Sequence, residues 1–294
     1  MHCLNLKITY DCTNNCSFCF SSYMKDVTIS FESLKKAILR GSENGCNELV
    51  LSGGEPTLFP EYIMGLISLA ESLGYKKYII QTNGVGLSDN EELISFLDSI
   101  AQNTEVCLSF SIHGHMAEIH DDLSGKSGAF KSLITAINRI SKTHCRIYTN
   151  TVINARNIMD LKNVATLLRQ YNPEIMQFSM MHLKERSPLT VSLADSVKAI
   201  KELKGIVSLD VLKTEGIPYC LLYGMEQCVG ESAWPTILDL YNKENDYMND
   251  FKQLDYGMRE KLEDCEICIM NKICMGVWAE HFEEFSDIGI HPIG

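Results

Sequence analysis

Short apolar runs alternate with longer stretches in which apolar side chains recur every three or four positions, and this rhythm holds from residue 4 to about residue 205. Runs of the first kind suit strands buried on both faces of a parallel sheet, and stretches of the second kind suit helices that cover such a sheet. Six strands are predicted: Leu4 to Tyr10, Glu48 to Ser52, Lys77 to Thr82, Val106 to Ile112, Arg146 to Ile153 and Ile175 to Met181. Between them, Ser30 offers an N-cap hydroxyl to a helix whose apolar face carries Phe31, Leu34, Ile38 and Leu39. Phe130 to Ile140 puts Leu133, Ile134, Ile137 and Ile140 on one face, and Ile158 to Leu168 does the same with Leu161, Val164 and Leu168.

Strands alternating with helices imply an α/β domain with a parallel sheet. Each strand is followed by polar, small or glycine-rich residues: a cysteine loop after the first, Ser52-Gly53-Gly54-Glu55-Pro56, Thr82-Asn83-Gly84, Ser111-Ile112-His113-Gly114, and Asn154. Loops at the C-terminal ends of parallel strands share one rim, where active sites of such folds lie. After about residue 206 the alternation gives way to a segment punctuated by Gly216, Pro218, Gly224 and Gly230, then an acidic stretch rich in tyrosine. The expected organisation is therefore a main domain over residues 1–205 and a smaller one over 206–294.

At 294 residues and 45% hydrophobic, the chain is long enough for one large core with a small appended unit. No apolar run approaches the roughly 20 residues that span a membrane, and the chain enters a strand at once without a targeting pattern, so the expected compartment is the cytoplasm. Disulfides do not persist there, so twelve cysteines call for metal ligation or redox chemistry. The net charge of −12 is uneven: residues 215 to 294 hold 16 Asp and Glu against 5 Lys and Arg. Such a balance argues against a nucleic-acid partner, whose phosphates favour a basic face. It suits a basic peptide, or a solvated surface that aids solubility.

The closest set of cysteines is Cys12, Cys16 and Cys19 in Tyr-Asp-Cys-Thr-Asn-Asn-Cys-Ser-Phe-Cys-Phe. A cubane iron-sulfur cluster ordinarily takes four cysteines, so three in one loop would leave one iron open to a small molecule. Structural zinc needs a fourth ligand, and His2 and Cys3 lie at the wrong end of the loop.

With Cys12-x3-Cys16-x2-Cys19, Phe18 before the last cysteine, and Gly53-Gly54-Glu55-Pro56 after the second strand, the chain resembles the radical S-adenosylmethionine (radical SAM) enzymes over roughly residues 4 to 185. The resemblance implies a partial (β/α)6 TIM barrel in which Cys12, Cys16 and Cys19 bind a 4Fe-4S cluster and the open iron is chelated by S-adenosylmethionine. It implies ligand contacts from Phe18, from Gly53, Gly54 and Glu55, and from Ser111 with Ser109 on the same strand face. The family pattern Ser-Leu-Asp-Gly reads Ser-Ile-His-Gly here, so His113 stands in the aspartate position. Where relatives carry an arginine for the ligand carboxylate, this chain has Ser124, with Lys126 nearby as a candidate. Asn83 and Asn154 are expected to line the same cavity.

Cys265-x2-Cys268-x5-Cys274, with Cys220 about 45 residues upstream, resembles the SPASM and twitch domains that carry auxiliary iron-sulfur clusters. Because no further cysteine follows Cys274, one auxiliary 4Fe-4S cluster is implied, with Cys220 as fourth ligand and Cys228 as its competitor. A four-cysteine zinc site is the alternative. Cys3, Cys46, Cys107 and Cys145 read as packing residues. Cys107 shares strand parity with Ser109 and Ser111, which makes it a candidate hydrogen-atom donor.

The implied reaction is reductive cleavage of S-adenosylmethionine to methionine and a 5'-deoxyadenosyl radical that abstracts a substrate hydrogen. The electron would come from a donor such as flavodoxin or ferredoxin. The leading expectation is a maturase that crosslinks, epimerises or oxidises a ribosomally made peptide. The alternatives are a small-molecule enzyme of cofactor, nucleotide or antibiotic synthesis, and a non-catalytic iron-sulfur scaffold.

Overall fold

The computed structural model describes residues 2–19, 21–22, 27–182, 187–233, 236–239, 252–253, 259–284 and 289–293. Much of the acidic, tyrosine-rich stretch therefore lies outside the described residues.

All six strands form where the apolar runs place them, each end within two residues of expectation: β1 His2–Thr9, β2 Cys46–Gly53, β3 Lys77–Thr82, β4 Glu105–Ser111, β5 Arg146–Ile153 and β6 Ile175–Met180. A seventh, β7, Leu212–Glu215, follows in the region where the rhythm was expected to have ended. It pairs parallel with β6, Met176 opposite Leu212. The strands stand in the order β7-β6-β5-β4-β3-β2-β1, and β1 continues to β8, Thr236–Asp239, and β9, Lys252–Gln253. The register pairs β1–β2, β2–β3 and β3–β4 are all parallel. The sheet is open at its edges, as a partial barrel requires.

Helices occupy the crossovers: α1 Phe31–Glu43, α2 Pro60–Ser72, α3 Glu91–Ala101, α4 Ala117–Ser124, α5 Ala129–Ile140, α6 Leu161–Arg169 and α7 Leu193–Lys201. Ser30 caps α1 as expected, its hydroxyl accepting the Ser33 N–H at 3.2 Å. On that helix Leu34, Ala37 and Ile38 are buried but Leu39 is 43% exposed. One residue is 100° of helix rotation, enough to carry Leu39 off the stripe that Ile38 occupies. On α5 and α6 the apolar face is buried through Leu133, Ile137, Ile140, Leu161, Val164 and Leu168. Truncating any of these to alanine removes about 2–5 kcal/mol of stability.

The chain forms two compact units. One comprises Met1–Ser111, Ser124–Tyr148 and Pro235–Leu254; the other comprises Ile112–Leu123, Thr149–Trp234 and Asp255–Gly294. In the second, a two-stranded ribbon of β10, Arg259–Glu260, and β11, Val277–Trp278, precedes α8, Ala279–Glu284. Among the described residues no helix is long and apolar enough to cross a membrane.

Candidate functional site

In the first unit the cysteine loop leaves β1 and is held from both sides. The Gly54 N–H donates to Thr9 O at 2.7 Å and the Glu55 N–H to Asp11 O at 2.8 Å. Gly53 has φ +129°, where a Cβ would overlap the Thr9 carbonyl oxygen. A Cβ on Gly54 would sit 2.6 Å from the Tyr10 carbonyl carbon. Both glycines are thus required by the chain's own backbone: the β2 turn lies directly on the β1 exit that carries the cysteines. On the other side, the Asn15 N–H donates to Ser124 O at 2.8 Å, and a Cβ on Gly125 would overlap Asn15 O.

Cys12, Cys16 and Cys19 are all partly exposed. Cys16 and Cys19 stand at the two ends of a tight turn closed by the Cys19 N–H donating to Cys16 O at 3.2 Å. The Cys12 sulfur accepts the Asn14 N–H at 3.4 Å and Asn83 Nδ2 at 3.5 Å. Burial holds the Cys12 thiol above its ordinary value while these donors pull it down. Bound iron would supply the positive charge that favours the thiolate.

Glu55 is fully buried and its carboxylate is enclosed by protein donors. Oε1 accepts from the Thr57 N–H at 3.0 Å, the Thr57 hydroxyl at 2.5 Å and the Thr82 hydroxyl at 2.7 Å; Oε2 accepts from the Asn83 N–H at 2.6 Å. Burial raises its proton affinity against the pull of those four donors. Geometrically Glu55 ties the end of β2 to the end of β3 and fixes Asn83. The Asn83 amide then reaches Cys12 Sγ and, at 3.0 Å, Thr13 Oγ1. The sequence assigned no role to Thr57, Thr82, Thr13 or Asn14; the signal was the run of small polar residues flanking Glu55 and Asn83.

The other expected ligand contacts fall as follows. Phe18 is half-buried in the loop, and Ser109 and Ser111 are half-buried on β4, alternating with buried Val106, Leu108 and Phe110. Lys126 is exposed one residue beyond Gly125, and Ser124 is buried with no partner for its hydroxyl among the described residues. Cys107 is buried near the start of β4, its sulfur 3.6 Å from Glu105 Oε1, and burial pushes its thiol up to about 12. Four residues of strand, about 13 Å, separate it from Ser111. Cys3, Cys46 and Cys145 are buried, as packing residues are.

In the second unit, Asn154 is fully buried within its own turn: Nδ2 donates to Val152 O at 3.1 Å and Oδ1 accepts the Arg156 N–H at 3.0 Å. His113 is buried just beyond the end of β4, and its ring stacks with His120 at 5.8 Å. The His113 N–H donates to His120 Nδ1 at 3.1 Å. Burial lowers the two imidazoles to about 3 and about 4, so both are neutral at pH 7.

The same unit gathers the other cysteine set. Cys220, Cys265, Cys268 and Cys274 line one pocket, together with Pro218, Glu260 and Ile290. Successive turns shape it, with the Cys268 N–H donating to Cys265 O at 3.1 Å and the Cys274 N–H to Met270 O at 2.8 Å. Cys228 lies apart, fully buried, its thiol donating to Leu209 O at 3.6 Å. Among the described residues no three His, Cys, Asp or Glu side chains are drawn together around a single ion. Four thiols around a cavity are the donor set that a polynuclear cluster fills with its own iron and sulfide. A buried ion pair of Arg259 with Glu231 anchors the ribbon beside the pocket, and the Arg259 guanidinium lies 3.4 Å above the Trp278 ring.

Comparison with known proteins adds the following. Residues 6–168 match the Radical SAM superfamily. The sporulation killing factor maturation protein SkfB of Bacillus subtilis is 28% identical over 162 residues, 54% of this chain and 37% of that protein. The AdoMet-dependent heme synthase of Methanosarcina barkeri is 26% identical over 167 residues, 56% of this chain and 46% of that one. The chain thus matches less than half the length of either relative. Streptococcus suis SuiB bound to precursor peptide SuiA superposes with a TM-score of 0.69 at 16% identity, over 100% of this chain and 75% of that one, a likeness of fold.

Proposed function

The chain belongs to the Radical SAM superfamily, and on that premise we propose that it is a peptide maturase with two iron-sulfur centres. Cys12, Cys16 and Cys19 would hold a 4Fe-4S cluster with one open iron, and Cys220, Cys265, Cys268 and Cys274, within a domain spanning residues 206–294, would hold an auxiliary one. When bound, the first cluster with S-adenosylmethionine supplies a 5'-deoxyadenosyl radical able to take a substrate hydrogen.

The chain's own residues prepare that chemistry. Gly53 and Gly54 set the loop by close backbone approach, Asn14 and Asn83 direct N–H groups at Cys12 Sγ, and Glu55 positions Asn83. Phe18, Ser109, Ser111 and Lys126 remain the candidates for contact with S-adenosylmethionine, and Asn154 acts through its turn. The four-cysteine pocket is the observation that carries the maturase reading, since SPASM-type clusters accompany peptide modification, and SuiB with its precursor peptide shares the fold. The acidic C-terminal quarter suits a basic peptide. A cytoplasmic setting with flavodoxin or ferredoxin as electron donor completes the proposal.

The likeness to the heme synthase favours a second reading, a small-molecule substrate. The deciding experiment incubates the anaerobically reconstituted, reduced protein with S-adenosylmethionine and peptides encoded beside its gene. A change of peptide mass with formation of 5'-deoxyadenosine is expected. Formation of 5'-deoxyadenosine with every peptide unchanged would turn the proposal to a small molecule, and no cleavage at all would leave only a scaffold.

A further inference from the structure

Residues 290–293 lie against the four-cysteine pocket: Ile290, His291 and Pro292 line it, and Ile290 is only 8% exposed. Two backbone N–H groups of this segment address sulfur. The Ile293 N–H donates to Cys268 Sγ at 3.4 Å, and the His291 N–H is directed toward the Cys220 thiol in the same pocket lining. Pro292, between them, has no N–H to offer. The segment is held in register because the Ile269 N–H donates to Ile293 O at 3.1 Å, which makes Cys268-Ile269 and Ile293 a reciprocal pair.

An N–H aimed at a cluster thiolate stabilises the form with more negative charge. Adding one electron to a cluster increases that charge without moving a proton, so such donors raise the reduction potential. We propose that residues 290–293 form a backbone strap that raises the potential of the auxiliary cluster, with Ile293 and His291 as the positioning donors to Cys268 and Cys220. This inference rests on the auxiliary-cluster reading above. The strap makes that cluster easier to reduce than its four cysteines alone would, which fits it to accept an electron from a modified substrate.

The test uses the full chain carrying C12A, C16A and C19A, so that only the second site can load. After anaerobic reconstitution with iron and sulfide, about four irons per chain are expected. The cluster is then titrated with dithionite and followed by electron paramagnetic resonance. H291P and I293P remove one donor each, whereas H291A and I293A remove the side chains and keep the N–H. The proline variants should titrate lower by at least a tenfold change in the reduction equilibrium, 59 mV for one electron, and the alanine variants should match the background protein.

Proline variants with an unshifted potential, or alanine variants shifted equally, overturn the strap while leaving the auxiliary cluster intact. No iron in the background protein overturns the auxiliary cluster itself. If a proline variant fails to load, exchange of the background protein into deuterium oxide decides: a deuteron coupled to the reduced cluster upholds the strap, and its absence overturns it.

Discussion

Glu55 is the residue whose replacement tests most of the site at once. Its carboxylate receives two main-chain N–H groups, from Thr57 and Asn83, and two hydroxyls, from Thr57 and Thr82, all in a fully buried setting. In E55A the hydroxyls can turn toward each other, but the two N–H groups are fixed by the backbone and lose their acceptor. Each stranded donor costs about 1–3 kcal/mol, so about 2–6 kcal/mol is expected before the void is counted. That is a large part of the 5–15 kcal/mol that typically holds a protein of this kind together.

E55Q is the sharper probe because it keeps the shape. A glutamine has one acceptor oxygen, so whichever way the amide turns, its NH2 meets either the Thr57 or the Asn83 N–H, and the expected loss is about 1–3 kcal/mol. Urea unfolding of the reduced, iron-free chain at pH 7 reads both variants. Because Asn83 donates to Cys12 Sγ, formation of 5'-deoxyadenosine should also fall by at least about tenfold in E55Q, equivalent to about 1.4 kcal/mol. An E55Q protein within about 0.5 kcal/mol of the original, with unchanged cleavage, would refute the positioning role.

Other outcomes follow from the same geometry. G54A should fail to load the first cluster, since its Cβ would need space held by Tyr10 and Asp11 backbone; normal iron content would contradict this. C220A should lose about four irons from the second site and C228A none, checked by iron per chain; the reverse pattern would make Cys228 the ligand. The imidazoles of His113 and His120 bind protons far less readily folded than unfolded. Their neutral burial therefore contributes stability that is whole above about pH 6.5 and declines as pH falls, by roughly 2 kcal/mol per imidazole down to pH 5. Melting curves at pH 7 and pH 5 should show this loss shrinking in H120Q; an equal loss would rule His120 out as the titrating group.

Much of this protein was legible in one dimension because its signals are local. A run of apolar residues marks a buried strand wherever it falls, so six strands were placed by pattern alone. Cys12, Cys16 and Cys19 share one loop, and Gly53-Gly54-Glu55 one turn, so their spacing survives without knowledge of the fold. β7 escaped because Leu-Lys-Thr-Glu is short and has a single apolar residue, and only the neighbouring β6 makes it a strand.

What the tertiary structure alone decided lies in contacts across sequence distance. Glu55 reads as a ligand-side carboxylate until β3 brings Thr82 and Asn83, 27 and 28 residues away, around it. The proline before Cys220 favours it over Cys228 in the sequence, but only folding puts one in the pocket and the other against Leu209. The strap at 290–293 has no sequence signature at all. Its donors are main-chain N–H groups, which nearly every residue carries, so only their position beside sulfur distinguishes them.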